Sequence, residues 1–327
     1  MSNLRPLDAV YARMQAVVPR AEWEIHMPKV ERILELKNER DATVLAHTYQ
    51  SPQIYFSIAD ITGDSLQLAR EVARVERPVI VMCGVRFMAE TSKILNPGKT
   101  VLLPDLRAGC SMADSLTAED VRRLRAEHPG APVVTYVNTN ADVKAESDIC
   151  CTSSNAVQVV RSLGASKVIF LPDPYLGKWV RSHMPEVEFV FWQGPCEVHV
   201  KFTAEDIAEL KARYPGIEVL VHPECPEEVI AAADYTGSTS GMIRHIGERK
   251  LTQIALITEC SMSSNVTAMF PGLQVVRPCN LCPHMQRITL DSVVEALEKM
   301  QHKISVEEGI RVRAQRALDR MLEVRLS

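Results

Sequence analysis

Three of the nine cysteines in this sequence are evenly spaced: Cys110 to Cys196 is 86 residues, and Cys196 to Cys282 is again 86. Each closes a strand-like segment, VLLPDLRAGC, VEFVFWQGPC and LQVVRPCNLC. Thiolates are the natural ligands of iron–sulfur clusters and of zinc. Three thiolates with no fourth in phase describe an iron–sulfur cluster that keeps one iron free for substrate. Zinc is the competing reading, although a catalytic zinc site usually mixes thiolate with imidazole or carboxylate. The compact Cx2Cx2C arrangement is absent, and Cys279-x-x-Cys282 is the one CxxC pair. Cys279 lies 83 residues from Cys196 and is out of phase, so it reads as a neighbour or redox partner of the ligand. Cys83, Cys150, Cys151, Cys225 and Cys260 read as core residues or supports behind the ligands. His199, close behind Cys196 in Gly194-Pro195-Cys196-Glu197-Val198-His199, stays open between the cluster and the core.

The same period governs a second set of residues. The apolar segments Thr43–Tyr49, Val133–Asn138 and Val219–Glu224 each end in two polar residues spaced two apart: His47 and Tyr49, Tyr136 and Asn138, His222 and Glu224. Alternate residues of a strand point the same way, so each pair shares a side. Tyr136 to His222 is 86 residues, and Tyr49 to Tyr136 is 87. Strand ends are wetter than strand middles, which accounts for one such pair but not for three in phase. Together they supply acids, bases and hydrogen-bond donors to one centre. A third set is hydroxylic: Ser65, Ser153 and Thr239 stand at the openings of amphipathic stretches, with Ser238 beside the last. Helix N-termini attract anions. Plain capping is the commoner use of Ser and Thr, but three such ends around one cavity suit a substrate carrying carboxylates or phosphate.

These residues need a scaffold that repeats three times. After each Ser/Thr-rich opening comes a second apolar strand (Val79–Met82, Val168–Leu171, Ile254–Ile257), so strands alternate with helices and βαβ units with parallel sheets follow. The expected fold is α/β: three homologous three-layer α/β/α domains with parallel sheets, related by a pseudo-threefold axis with the active site at its centre. Residues 1–112 form the first repeat with N-terminal helices at Asp8–Val18 and Met27–Arg40. Residues 113–198 form the second and 199–285 the third. C-terminal helices within 286–327, Leu290–Gln301 and a longer one opened by a capping box at Ser305-x-x-Glu308, are expected to pack on the first. Units of 86 residues are small for independent cores and should pack together. The 327 residues carry a net charge of −4, with 46% hydrophobic and 24% charged residues, which excludes disorder and a nucleic-acid or membrane-surface footprint. No apolar run reaches the ~18 residues of a membrane helix, and Met1 to Pro19 lacks the pattern of a signal peptide. A cytoplasmic location is expected.

Residue by residue, the sequence resembles the quinolinate synthase family. The matching segments include Ala46-His47-Thr48-Tyr49-Gln50, Gly63-Asp64-Ser65, Gly84-Val85-Arg86-Phe87-Met88-Ala89-Glu90-Thr91, Asn96-Pro97, Tyr136-Val137-Asn138, Thr152-Ser153-Ser154-Asn155-Ala156, His222-Pro223-Glu224-Cys225, Ser238-Thr239-Ser240-Gly241-Met242 and Cys282-Pro283-His284-Met285. The resemblance implies one [4Fe–4S] cluster per chain held by Cys110, Cys196 and Cys282, and a condensation of iminoaspartate with dihydroxyacetone phosphate to quinolinate in NAD biosynthesis. It implies Glu224 as general base, His47 and Tyr49 as proton carriers, and Tyr136 and Asn138 as groups that hold the intermediate, Tyr136 with a catalytic share. It further implies His222, Ser153, Ser238 and Thr239 as carboxylate binders and Ser65 as a phosphate binder. L-aspartate oxidase, a source of unstable iminoaspartate, is the implied functional partner. Thr48 stands where many relatives have Asn, on the side away from the His47/Tyr49 pair. Cys279 leaves open a Cys279–Cys282 disulfide that would compete with the cluster. Two other classes remain at this point: a cluster-dependent dehydratase of another dicarboxylate, and a redox sensor, which has no need of three acid/base pairs.

Overall fold

Continuous apolar, β-branched runs mark strands buried on both faces, and in the computed structural model, which describes residues 7–325, such runs form the middle of every sheet. The first sheet contains β1 (Ala42–His47), β2 (Ile61–Gly63), β3 (Val79–Cys83) and β4 (Thr100–Leu102). The second contains β5 (Val133–Tyr136), β6 (Ile149–Cys151), β7 (Lys167–Leu171) and β8 (Glu188–Phe191). The third contains β9 (Glu218–Val221), β10 (Tyr235–Thr236), β11 (Gln253–Ile257) and β12 (Gln274–Val276). All pairings are parallel, and the three sheets share one strand order, β2-β1-β3-β4, β6-β5-β7-β8 and β10-β9-β11-β12. Helices flank each sheet, so the architecture is three α/β/α units, as the repeat spacing requires. The sequence reading did not separate out β2, β6 and β10. They are edge strands of two or three residues, too short to carry a period.

The repetition reaches further than the cysteines. Seven residues beyond each, a threonine opens a helix with a side-chain cap: Thr117 for Ala118–Glu127, Thr203 for Ala204–Arg213 and Thr289 for Leu290–Lys299. In all three the threonine oxygen accepts from the N–H three residues on, while that residue's side chain answers to the threonine N–H. Helix Leu290–Lys299 therefore begins a fourth turn of the pattern, and it packs against helix Arg20–Glu39 beside the first sheet. Lys29 to Asp291 (2.7 Å) and Arg32 to Glu298 (3.0 Å) join the two.

The last helix, Glu308–Glu323, departs from expectation. It lies mainly against helix Ala141–Ala145 and β6 of the second unit, not against the first alone. Its apolar stripe (Ala314, Ala317, Leu318, Met321) is buried there. Arg313 reaches Glu146 at 2.8 Å, and Arg320 donates to the Asp148 carbonyl at 2.7 Å. Its cap is Glu307, whose carboxylate accepts from Gly309 and Ile310 N–H, so the Ser305/Glu308 box does not form. A carboxylate beside the exposed N–H groups also complements the helix dipole. One apolar cluster runs through the first and second units and both terminal helices, whereas the third unit has two clusters of its own, one on each sheet face.

Candidate active site

Parallel strands joined by helical crossovers leave their carboxyl ends open to a ligand. His47 ends β1, Tyr136 ends β5 and His222 directly follows β9. Beyond these ends the chain turns, and the residue two positions on reaches the same space. The turn is held the same way twice: Tyr49 N–H donates to His47 Nδ1 at 3.1 Å, and Glu224 N–H donates to His222 Nδ1 at 3.4 Å. With Nδ1 as acceptor, the neutral ring carries its proton on Nε2. One cavity is lined by His47, Tyr49, Ser65, Cys110, Tyr136, Asn138, Ser153, Cys196, His222, Glu224, Thr239 and Cys282. Of the sequence candidates only Ser238 lies outside its wall. Ser238 caps helix Thr239–Arg249 by accepting from Gly241 N–H, and its hydroxyl meets Ser154, which also donates to Asp64.

A chain of side chains from all three units crosses the cavity. Tyr136 donates to Glu224 Oε1 at 2.6 Å, and His199 Nδ1 lies 2.8 Å from Glu224 Oε2. The far ring nitrogen of His199 meets Thr258 Oγ1 at 3.0 Å, and that hydroxyl lies 2.6 Å from the Tyr49 hydroxyl. Glu224 is 3% exposed and His199 1%. Burial works against a charge on Glu224. The imidazoles of His222 and His199 and the Tyr136 hydroxyl outweigh it and hold the carboxyl well below its ordinary range. Burial and the nearby Glu224 push Tyr136 up, so its proton stays on to donate, and the Tyr49 hydroxyl is raised for the same reasons. Burial drives His47 down to about 4 and His222 down to about 3, so both are neutral at pH 7.

That asymmetry has a stability consequence. The two histidines take up protons at ordinary values when unfolded but not when folded, so folding stability falls as pH drops from about 6.5 towards 4. Each contributes up to about 3 kcal/mol of this loss. Chemical denaturation of the cluster-free protein at pH 7 and pH 4.5 measures it, and His47→Gln should flatten the slope. Thr258→Val, which cuts the link between Tyr49 and His199, is expected to lower kcat about tenfold with KM nearly unchanged, since it removes a hydrogen bond worth about 1 kcal/mol and frees a buried tyrosine. Steady-state kinetics separate the two parameters.

The cysteines repeat one local geometry. The carbonyls of Cys110, Cys196 and Cys282 each accept from the N–H four residues on, so every cysteine opens a helical turn. Such a turn aims N–H groups back at the side chain: Met112 and Ala113 at Cys110, Val198 and His199 at Cys196, His284 and Met285 at Cys282. Burial pushes Cys110 up to about 12, Cys282 up to about 11, and Cys196 well up, so thiolates here need a metal's positive charge. Three free thiols in one cavity, each with two N–H donors, fit a three-thiolate cluster, whose sulfurs are tuned by such hydrogen bonds. Cys83, Cys150, Cys151 and Cys225 are buried in the core. The Cys279–Cys282 pairing left open by the sequence does not form: Cys279 is joined instead to Cys260, with Cα atoms 4.9 Å apart. Cys282 turns its sulfur to the cavity. Its loop is pinned to the helix Cys260–Met269 by Cys260 N–H donating to the Asn280 carbonyl, which sets Cys279 against Cys260.

Sequence reasoning missed Thr258 and Glu259. A signal for them existed, because Pro172-Asp173 stands 86 residues earlier at the end of β7. Glu259 caps its helix from a fully buried position, accepts from Cys282 N–H at 3.3 Å, and is pushed by burial up to about 7. His284 also lines the cavity and meets Glu197 at 3.0 Å.

Comparison with known proteins agrees with this geometry. The family model described as "Quinolinate synthetase A protein" matches residues 31–323. Quinolinate synthase 2 of Mesorhizobium japonicum is 54% identical over 99% of this chain and 100% of its own length. The quinolinate synthase of Agrobacterium fabrum is 55% identical over 97% of this chain and 91% of its own. That of Caulobacter vibrioides is 49% identical over 96% and 87%. With matches across nearly its whole length, and with a cavity built from the ends of three repeated sheets, the chain belongs to the quinolinate synthase family of enzymes.

Proposed function

We propose that this chain condenses iminoaspartate with dihydroxyacetone phosphate to quinolinate, phosphate and two waters, as a step of NAD biosynthesis in the cytoplasm, using a [4Fe–4S] cluster held by Cys110, Cys196 and Cys282. The observation that carries the reading is the convergence of three free thiols and three acid/base pairs on one cavity. When bound, the cluster supplies a Lewis-acidic iron with no protein ligand. Glu224, held ionised between Tyr136 and His199, takes the proton next to a carbonyl, and Tyr136 keeps the carboxylate aimed. His47 and Tyr49, with His47 neutral, carry protons in the isomerisation and dehydrations. Asn138 presents a buried Oδ1 that has no protein partner and accepts from a substrate N–H or O–H. His222, Ser153 and Thr239 bind carboxylates, and Ser65, the first residue of its helix, binds phosphate. Ser238 acts on these from behind, by capping the helix that carries Thr239. L-aspartate oxidase fits as the source of iminoaspartate. Three units at residues 1–112, 113–198 and 199–285 are the proposed domains.

Anaerobic reconstitution with iron and sulfide, followed by spectroscopy with and without quinolinate, tests this. One iron site should respond to the product, and quinolinate should form only when dihydroxyacetone phosphate is supplied. Turnover of a different dicarboxylate without it would replace this reading with a dehydratase.

A further inference from the structure

His199 has no place in the three-cysteine cluster, yet its Nδ1 faces two strong ligands at once. It lies 3.2 Å from Cys196 Sγ and 2.8 Å from Glu224 Oε2. The three ligand atoms all fall within 4.8 Å of one another. Zinc at about 2.0–2.3 Å from nitrogen, oxygen and sulfur spans edges only slightly longer than the two close ones. A thiolate and a carboxylate balance a divalent charge, and imidazole completes the mixed set that a three-ligand, open zinc site uses. Each ligand is also steered from behind. Thr258 occupies the far nitrogen of His199, which leaves Nδ1 for a metal, and Tyr136 holds Glu224 Oε1, which leaves Oε2. Outer partners of this kind fix the tautomer and orientation of metal ligands.

We propose that the cluster-free protein binds one zinc ion on Cys196 Sγ, His199 Nδ1 and Glu224 Oε2, and that zinc and cluster exclude each other because both need Cys196. Binding releases the thiol proton. The fourth position opens on the cavity. Zinc held there also occupies the proposed general base, so a zinc-loaded chain is inactive until the metal is removed and the cluster assembled. The zinc site stands on geometry alone; the exclusion rests on the cluster reading above.

The test titrates zinc alone, under anaerobic conditions, into full-length cluster-free protein against a chromophoric chelator. One zinc per chain is expected. His199→Ala should weaken it by about 100-fold or more, and Thr258→Val by about 10- to 100-fold. Cys110→Ser, Cys282→Ser and Cys279→Ser should bind as the parent does. Zinc X-ray absorption on the unmodified protein should show one sulfur and otherwise nitrogen and oxygen ligands, which keeps the test independent of how well His199→Ala folds. Loss of binding in Cys110→Ser with none in His199→Ala, or three sulfurs on the zinc, would assign the ion to the cysteine triad and overturn the proposal, as would no binding at all. Failure of the cluster reading registers elsewhere, as normal cluster assembly in Cys110→Ser.

Discussion

Cys196→Ser is expected to lose the cluster and, with it, activity by about 10³-fold or more, the several kcal/mol that a Lewis-acidic metal contributes. Cys110→Ser and Cys282→Ser should behave alike, because each sulfur sits at the start of an equivalent helical turn with two N–H groups aimed at it. Cys150→Ser, at a cysteine buried within β6, should keep its iron and sulfide. Iron and sulfide content after reconstitution, read beside quinolinate formation, decides the matter. Equal loss at Cys150 would mean that the in-phase cysteines are not the ligands. The comparison is informative because the cysteines differ in setting: the triad opens on the cavity, while Cys150 sits within its sheet.

The second large effect is expected at Glu224. Glu224→Gln keeps the shape and still accepts from Tyr136, but it cannot take a proton. Its kcat should fall by about 10²- to 10⁴-fold, the usual worth of a positioned general base, while iron content stays at the parental level. The pH dependence follows from the direction of the shift. A base works deprotonated, so its rate falls as pH drops through its folded value. For Glu224 that value lies below the ordinary carboxylate range, near 4.3. The parent should therefore show no acid limb from this group between about pH 5 and 8. A near-parental kcat in Glu224→Gln would move the role of base away from Glu224.

Much of this molecule is legible in its sequence. The 86-residue spacing of Cys110, Cys196 and Cys282 implied a tripled unit, and the buried parallel strands followed from continuous apolar runs. The strand-end pairs were legible from their common period, although Tyr49, Asn138 and Glu224 lie past the strands, where the chain turns. The same spacing also marks Thr117, Thr203 and Thr289, and sets Pro172-Asp173 against Thr258-Glu259. Other features had no linear trace. Cys279 chose Cys260 over its close neighbour Cys282 because the loop is pinned to the start of a helix, and sequence distance does not measure that approach. Ser238 and Thr239 are adjacent, yet capping geometry sends one behind the cavity and leaves the other on its wall. The last helix found its partner in β6 and helix Ala141–Ala145, a surface that exists only once the units have closed.

By itself, then, the chain's period determined which residues arrive at the carboxyl ends of which strands, since strand and helix periodicities are local properties of the backbone. Tertiary structure alone decided how those residues meet: that His199 joins Glu224, Cys196 and Thr258, and that Thr258 ties it to Tyr49. Such contacts cross units, and their distances depend on how three packed sheets close around a shared centre.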